Sequence, residues 1–259
     1  MVQATVRYST RALSRELILE QILHSLHSDI WLSGALGCTA WKVERKDGGE
    51  PLSRLDTVSP SFAYAKLKAG DIAAVSQLAD VGFRVVDTAL TFDGIITGSR
   101  TTDVRFAVQA DREFVSRIAA HAFRFSRFHL DPLVPNGVAD AIKSSWVTNY
   151  FEGKRGDGVV VAERDNHVIG FLQLLWANSD RLVIDLIGIA PAWQGQGIGR
   201  AMIQFAAQHG TGNGLVPATM TVGTQAANTP SVRLYESLGF RKTSAQYVMH
   251  FHGPARVRQ

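Results

Sequence analysis

The sequence has almost no cysteine, since Cys38 is the only one in 259 residues. The chain can therefore form no intramolecular disulfide and no metal cluster built on several cysteines. It also lacks an apolar run near the roughly 18–20 residues of a membrane span, and residues 1–10 lack the apolar core of a signal peptide. We expect a cytoplasmic protein that has neither a metal nor a membrane partner.

Neither sign of charge is in large excess. The 27 Lys and Arg residues against 23 Asp and Glu residues give a net charge of +4, and no polybasic run indicates nucleic-acid binding. A weak positive field suits a substrate that carries phosphates. With 46% hydrophobic and 19% charged residues, the composition is globular, and the length predicts one large or two small domains.

Hydrophobic periodicity and turn residues predict two series of helices and strands. The first series is a helix over 14–27, short strands and turns over 34–50, a strand over 61–67, a helix over 71–81 and a strand over 83–92. Residues 94–102 are rich in Gly, Ser and Thr and predict a linker. We therefore predict one domain over residues 1–98 and a second over 99–259.

The second series begins after this linker. It predicts strands over 104–108, 159–163, 168–176, 181–189, 218–223 and 241–251, and helices over 111–123, 136–150, about 198–209 and 229–238. Asp165-Asn166-His167 predicts a hairpin turn. Residues 78–92 and 235–251 share a helix, a Gly-Phe stop and a strand that begins with Arg. Such junctions are common, so the repeat alone leaves duplication and coincidence equally open.

A glycine-rich turn is the strongest signal in the sequence. After a buried strand and Pro191, the chain reads Gln194-Gly195-Gln196-Gly197-Ile198-Gly199 and enters an amphipathic helix. Glycines leave backbone N–H groups unobstructed, and these groups at a helix N-terminus bind anions such as a pyrophosphate. The glycine spacing disfavours a dinucleotide site, and the missing Lys disfavours a P-loop. The pattern that fits is Q/R-x-x-G-x-G/A after a strand that ends near a proline.

This turn resembles that of the GNAT superfamily of acetyl-CoA-dependent N-acetyltransferases. Residues 225–240, QAANTPSVRLYESLGF, resemble the superfamily's second motif, N-x-x-[AS]-x-x-[LF]-Y-x-x-x-G-F. The resemblance covers residues 104–251. It implies an α/β (α+β) protein with the GNAT fold, a mixed central β-sheet flanked by helices, and a catalytic domain over 99–259.

A closer resemblance is to the dTDP-fucosamine acetyltransferase type, whose members acetylate the amino group of a nucleotide-linked sugar. It is carried by residues 121–128, HAFRFSRF, by Asn228 and Tyr235, and by a degenerate GNAT-like N-terminal half. That half departs from the pattern, because it has no glycine-rich turn and Leu78 stands where Tyr235 would. Residues 59–64, SPSFAY, also lack the family's acid. We expect this half not to bind acetyl-CoA.

The superfamily resemblance implies a catalytic role for Tyr235 and a set of residues that bind acetyl-CoA. Tyr235 would protonate the departing thiolate as the general acid. The strand before the turn would splay from its neighbour and pair with the pantetheine arm. The implied acetyl-CoA ligands are Ile187, Ile189, Gln194, Gly195, Gln196, Gly197, Ile198, Gly199, Arg200, Asn228 and Ser231. Asn228 can equally be the N-cap of the helix that follows.

The acceptor site is less defined in the sequence. Arg124, Arg127 and Asp185 are the candidate substrate ligands, and the two arginine forks suit a diphosphate. The general base stays open: a water chain can suffice, Asp185 can be a base or a structural hydrogen-bonding group, and His121 and His129 are candidates because histidine is a common general base, although a lone histidine is more often structural. Other small amines, amino acids or a protein N-terminus stay open as acceptors, and so does a non-catalytic acyl-CoA-binding regulator. An edge strand could also pair across a homodimer.

Overall fold

The computed structural model describes residues 25–44, 54, 61–99, 101 and 103–253. The chain forms two compact units. The smaller unit comprises Met1–Ala65, Asp71–Arg84 and His250–Gln259, and the larger one comprises Lys66–Gly70 and Val85–Met249.

The described part of the smaller unit contains strands and two helices. Its elements in chain order are β1 (Ser25–Ser28), α1 (Ile30–Leu36), β2 (Thr39–Glu44), β3 (Ser61–Lys68, of which the last residues belong to the larger unit) and α2 (Ile72–Asp80). Strand β2 pairs antiparallel with β1 and parallel with β3. The strand over 61–67 and the helix over 71–81 are thus confirmed.

The predicted helix over residues 14–27 is wrong at its C-terminal end. Residues 25–27 lie in β1, where Ser25 pairs with Glu44 and Leu26 with Val43. The strand pairing buries Leu26 completely in the core, which overrides the helical spacing of the apolar residues before it. Residues 14–24 lie outside the described part of the chain, as do residues 45–50 of the next prediction.

The larger unit is a mixed sheet with helices. Its elements are β4 (Arg84–Gly94), β5 (Val104–Phe106), a 3₁₀ turn (Gln109–Asp111), α3 (Arg112–Ala122), α4 (Asn136–Phe151), β6 (Gly158–Arg164), β7 (His167–Trp176), β8 (Arg181–Ile189), a 3₁₀ turn (Pro191–Trp193), α5 (Ile198–His209), β9 (Thr219–Gln225), α6 (Thr229–Ser237) and β10 (Arg241–His252, of which the last residues belong to the smaller unit). Its strand order is β10-β4-β9-β8-β7-β6-β5. Strands β8 and β9 are parallel, whereas β4–β9, β5–β6, β6–β7 and β7–β8 are antiparallel.

The boundaries between the two units differ from the predicted boundary between residues 98 and 99. Strand β4 belongs to the larger unit from Val85 onwards, because it pairs with β9 along Ala89–Gly94, with Ala89 opposite Gln225 and Gly94 opposite Met220. Backbone hydrogen bonds between strands that are distant in sequence therefore define the unit, and a Gly- and Ser-rich stretch does not reveal them.

Local turn chemistry fixes the predicted hairpin between β6 and β7. Asp165 and Asn166 have φ angles of 51° and 60°, as the two central residues of a type I′ turn require. The helix–Gly–Phe–strand junctions also form as predicted. Gly82 after α2 has φ +101° and Gly239 after α6 has φ +91°, and the phenylalanine that follows each glycine is buried.

The sheet of the larger unit is covered on both faces. Val160 and Ala162 of β6 pack in one cluster with Met202 of α5, while Val159 and Val161 pack in another with Val115 of α3. The uninterrupted apolar run of β6 follows from this burial on both faces. Among the described residues, no helix is both long and apolar enough to cross a membrane.

Candidate active site

Two neighbouring strands separate in the middle of the larger unit. The parallel pairing of β8 with β9 runs from Arg181 opposite Thr219 to Ile184 opposite Val222. Beyond that point β8 stays with β7, and β9 stays with β4. The facing edges of β8 and β9 lose their partner, and a cavity of about 820 Å³ opens there, lined by residues of both strands.

A bulge in β8 lies where the strands separate. Gln173 and Leu174 are consecutive in β7 but oppose Leu186 and Ile184, so Asp185 is the extra residue. A bulge increases local twist and redirects a side chain. The Asp185 carboxylate lines the cavity and accepts hydrogen bonds from Arg155 Nε (2.9 Å) and Nη2 (2.7 Å) and from Gln173 Nε2 (3.3 Å). These bonds raise the pKa of Arg155 and hold the carboxylate in position.

The glycine-rich turn closes one end of the cavity. Gln194 Nε2 donates to Ile189 O (3.1 Å) and anchors the turn to the end of β8. Gly195 and Gly197 have φ angles of +78° and +80°, in the region that L-residues avoid. A Cβ atom at either glycine would have no neighbour within 4 Å. Space beside the backbone is therefore open to a ligand.

The start of α5 is uncapped. Its N-cap is Gly197, which has no side chain to accept a hydrogen bond, and helical bonding begins with Ala201 N donating to Gly197 O (3.1 Å). No described residue accepts a hydrogen bond from the N–H groups of residues 195–200. Unpaired N–H groups at the positive end of a helix are an anion-binding site.

Close packing explains the third glycine of the turn. A Cβ atom at Gly199 would lie 3.1 Å from Leu234 Cδ2 and 3.4 Å from Ile189 Cδ1. The missing side chain therefore lets α5 approach both α6 and β8. Arg200 Nη2 donates to Ser237 Oγ (2.8 Å), which ties α5 to the end of α6.

Tyr235 lies on α6 and lines the cavity although it is almost fully buried. Its ring centroid is 6.0 Å from that of Phe92 and 5.8 Å from that of Phe240. Burial raises the pKa of Tyr235, and a hydrogen bond with Ser231 opposes this only in part. The hydroxyl therefore keeps its proton at neutral pH. Asn228 caps α6, since its Oδ1 accepts from Ser231 N (3.3 Å), so the N-cap interpretation is confirmed.

The loop after α3 forms another side of the cavity. Arg124 and Ser126 line it, but Arg127 does not, and its guanidinium carbon lies 4.5 Å from the centroid of the Phe128 ring. Gln196 is also outside the lining, and its Nε2 donates to Ala192 O (3.4 Å). The sequence does not distinguish Arg127 and Gln196 from neighbouring residues that line the cavity, because the side chains of adjacent loop residues point in different directions.

Most of the other predicted site residues come together at the cavity. Those in its lining are Arg124, Asp185, Ile187, Ile189, Gln194, Gly195, Gly197, Ile198, Gly199, Arg200, Asn228, Ser231 and Tyr235. His121 lies elsewhere, at the exposed end of α3, where its Nδ1 contacts Arg117 O (2.8 Å). His129 is not in the lining but hydrogen-bonds Ser126, which is.

Sequence reasoning missed Lys143 of α4, which is buried and lines the cavity. Its Nζ lies 4.9 Å from the Phe123 ring centroid and 4.7 Å from that of Trp146, as in cation–π contacts. The signal was present in the sequence. Ala139, Lys143 and Val147 follow one another at four-residue spacing, so the lysine occupies a position on the apolar stripe.

Burial lowers the pKa of Lys143 to about 8. The positive charges of Arg127 and Lys66 lower it further, whereas Asp185 opposes the shift. Close to neutral pH, this amine therefore exists in both the charged and the neutral form within the cavity.

The sequence model of the Acetyltransferase (GNAT) family matches residues 122–240. The whole lining of the cavity, from Ala122 to Ser237, falls within that match. Residues 122–240 are thus similar in sequence to the GNAT acetyltransferase family. The family's general use of acetyl-CoA agrees with the anion-binding end of the cavity.

Two curated proteins match part of the chain. SpsD, a spore coat polysaccharide biosynthesis protein of Bacillus subtilis, is 30% identical over 141 residues, which are 54% of this chain and 47% of SpsD. The mycothiol acetyltransferase of Thermomonospora curvata is 36% identical over 85 residues, which are 33% of this chain and 28% of that enzyme. The chain thus matches less than half the length of either relative.

Solved structures agree on the fold. A GNAT-family acetyltransferase structure from Novosphingobium aromaticivorans superposes with a TM-score of 0.53 at 15% identity, over 82% of this chain and 84% of that one. The chain has the GNAT fold. The predicted α/β class and the mixed central sheet with flanking helices are thereby confirmed.

Proposed function

We propose that this protein transfers the acetyl group of acetyl-CoA to a primary amine, most specifically the amino group of a nucleotide-linked sugar. One observation carries the proposal. A single cavity joins the uncapped start of α5, the unpaired edges of β8 and β9, and the buried hydroxyl of Tyr235.

The residues of the cavity fit acetyl-CoA. The N–H groups of residues 195–200 would hold its pyrophosphate, with Arg200 adding positive charge. The edge of β8 at Ile187 and Ile189 would pair with the pantetheine arm, and Asn228 and Ser231 border the same space. Bound there, acetyl-CoA supplies an acetyl group activated as a thioester.

Two groups of the chain act on the reacting atoms in this proposal. A backbone N–H near Ile187 would face the thioester carbonyl oxygen and stabilise negative charge on it. Tyr235 Oη holds a proton that burial keeps in place and would give it to the sulfur leaving group. Because the thiol of coenzyme A has a low pKa compared with an amine, modest acid catalysis is sufficient.

Charge at the cavity supports an anionic acceptor. Arg124, a cation, and Lys143, which is partly protonated close to neutral pH, both line it, and positive charge is suited to the diphosphate of a nucleotide sugar. SpsD, which is named for polysaccharide biosynthesis, is consistent with a sugar acceptor. The mycothiol acetyltransferase match equally favours a different small amine, which is the second candidate.

A thermal-shift panel tests the proposal. The ligands are acetyl-CoA, coenzyme A, NAD, ATP, and dTDP- and UDP-linked amino sugars. A ligand that binds only the folded state at a hundredfold excess over Kd adds about 2.7 kcal/mol to the free energy of unfolding. We expect stabilisation by acetyl-CoA, further stabilisation by an amino sugar nucleotide, and release of free thiol when both are present.

The possible results separate the alternatives. Stabilisation by acetyl-CoA and thiol release with a different amine would exclude the sugar nucleotide and keep the transferase. Stabilisation without turnover on any amine would support an acyl-CoA-binding regulator. No response to acetyl-CoA would contradict the whole proposal, because every assigned role depends on that ligand.

A further inference from the structure

Three side chains form a hydrogen-bonded chain that begins in the cavity lining. Ser126 Oγ lies 2.6 Å from His129 Nδ1, and His129 Nε2 lies 3.0 Å from Asp140 Oδ1. Ser126 is buried and lines the cavity. The side chains of His129 and Asp140 are 7% and 38% exposed, so this row of hydrogen bonds leads from the cavity to solvent.

The partners determine where the protons lie. The Asp140 carboxylate can only accept, so His129 Nε2 carries a hydrogen, and Nδ1 of the neutral ring is left as an acceptor. Ser126 Oγ therefore donates its hydrogen to Nδ1. The same oxygen accepts weakly from His129 N (3.4 Å), which leaves it one lone pair for a donor in the cavity.

We propose that Ser126, His129 and Asp140 are the proton relay that deprotonates the attacking amine. Ser126 is the member that would touch the acceptor, and His129 and Asp140 act through it. This proposal rests on the proposed acetyl transfer. It supplies the base that the sequence left open among a water chain, Asp185, His121 and His129, and it excludes His121, which lies outside the cavity.

The relay balances the protons of the reaction. The C–N bond forms, the C–S bond breaks, and the amine nitrogen loses one proton to Ser126 Oγ. Ser126 passes its own proton to His129 Nδ1, and the Asp140 carboxylate stabilises the imidazolium, as the acid does in a serine-hydrolase triad. The departing sulfur takes its proton from Tyr235. Before the next turnover the imidazolium returns one proton to solvent, and Tyr235 regains one proton from solvent.

The charged residues nearest to this relay in sequence are Arg124, Arg127 and Asp131 in the same loop and Lys143, three residues after Asp140 on α4. Lys143 titrates near neutral pH, so the pH profile of any relay variant is compared with that of Lys143→Met. A limb of the pH–rate profile that persists in Lys143→Met but disappears in His129→Gln is assigned to the relay.

The test compares His129→Gln with His121→Gln, a histidine outside the cavity. General-base catalysis contributes typically about 10²- to 10⁴-fold, so we expect kcat of His129→Gln to fall by about 10²-fold or more. The Kd for acetyl-CoA should stay unchanged. At pH values where the wild-type rate no longer rises, the rate of His129→Gln should continue to rise, because the amine then loses its proton without the relay. His121→Gln should behave as the wild type.

A second readout needs no acceptor and no variant. Long-range ¹⁵N–¹H spectra of the wild type should show neutral His129 protonated at Nε2. The opposite tautomer would overturn the relay. A third readout uses the variant but no amine acceptor. The slow hydrolysis of acetyl-CoA, in which water replaces the amine, should fall in His129→Gln.

These results keep the two proposals apart. If sugar nucleotides are not acetylated but His129→Gln slows transfer to another amine or to water, the relay stands and the acceptor is wrong. If His129→Gln only lowers the melting temperature and keeps the wild-type kcat and pH profile, the relay is wrong. A wild type that binds acetyl-CoA but transfers acetyl to neither an amine nor water overturns the relay as well.

Discussion

At the scale of single residues, the proposed chemistry depends on side chains that reach one cavity from separate elements. Tyr235 and Asn228 stand at fixed offsets within one helix, so their arrangement follows from helical geometry. Lys143 and Ser126 reach the cavity only because α4 and the loop after α3 pack beside β8. Periodicity indicates that Lys143 lies on the apolar stripe of its helix, but which surface that stripe packs against is set by the tertiary structure.

Replacing Tyr235 with Phe should lower kcat by about tenfold, which is less than the typical contribution of a general acid (about 10²- to 10⁴-fold) because the leaving group is a thiolate. The contacts with Phe92 and Phe240 are kept, so the unfolding free energy should fall by only about 1 kcal/mol for the lost hydroxyl bond. Steady-state kinetics and calorimetric acetyl-CoA binding check this. Tyr247→Phe on β10 is the matched control, and equal kcat in both variants would remove Tyr235 from the mechanism.

Lys143 should make stability depend on pH above neutrality. Its pKa is about 8 in the folded protein against an ordinary value of 10.5 for lysine, so the unfolded chain binds more protons between these two pH values. The free energy of unfolding therefore rises as pH increases from about 8 to about 10.5, by on the order of 3 kcal/mol. Urea unfolding at about pH 7 and about pH 10 measures the rise. Lys143→Met should lack this part of it, and an equal rise in both proteins would contradict the assignment.

At the scale of elements, turns were predictable and strand pairing was not. The glycine-rich turn and the β6–β7 hairpin follow from residues adjacent in sequence. The bulge at Asp185 and the end of β8–β9 pairing at Ile184 depend on register between distant strands. A one-residue change of register is invisible in composition, so the cavity could only be expected by resemblance.

The glycine turn gives a prediction with a matched control. Gly197 and Gly214 have similar φ angles, +80° and +86°, and a Cβ atom at either position would lie in open space, but only Gly197 lines the cavity. Replacement with Ala should destabilise both variants alike, by about 1 kcal/mol for the left-handed backbone. Only Gly197→Ala should lose acetyl-CoA affinity in isothermal calorimetry. Equal affinities in the two folded variants would contradict the pyrophosphate assignment.

At the scale of the whole molecule, the cavity and every residue of its lining belong to the larger unit. We interpret the N-terminal half as GNAT-like but degenerate. The helices of the smaller unit that the structure describes begin differently from α5. Asp29 Oδ1 accepts from Leu32 N (2.9 Å) at the start of α1, and Asp71 Oδ1 accepts from Ala74 N (3.2 Å) at the start of α2. At each of these helix starts a carboxylate already accepts a hydrogen bond from a backbone N–H group, and its negative charge repels a pyrophosphate.

One acetyl-CoA should therefore bind per chain. Leu78, the residue that corresponds to Tyr235 in the repeated pattern, is completely buried and offers no proton, whereas α5 begins at Gly197 with its N–H groups unpaired. Isothermal calorimetry on the full chain should give a stoichiometry of one, and Gly197→Ala should weaken that same site. A stoichiometry of two, or a tight site that survives Gly197→Ala, would mean that the N-terminal half binds the ligand too. A stoichiometry of one that is sensitive to Gly197 assigns binding to the larger unit, where, within the part of the chain that the structure describes, a free helix start and a split pair of strands meet.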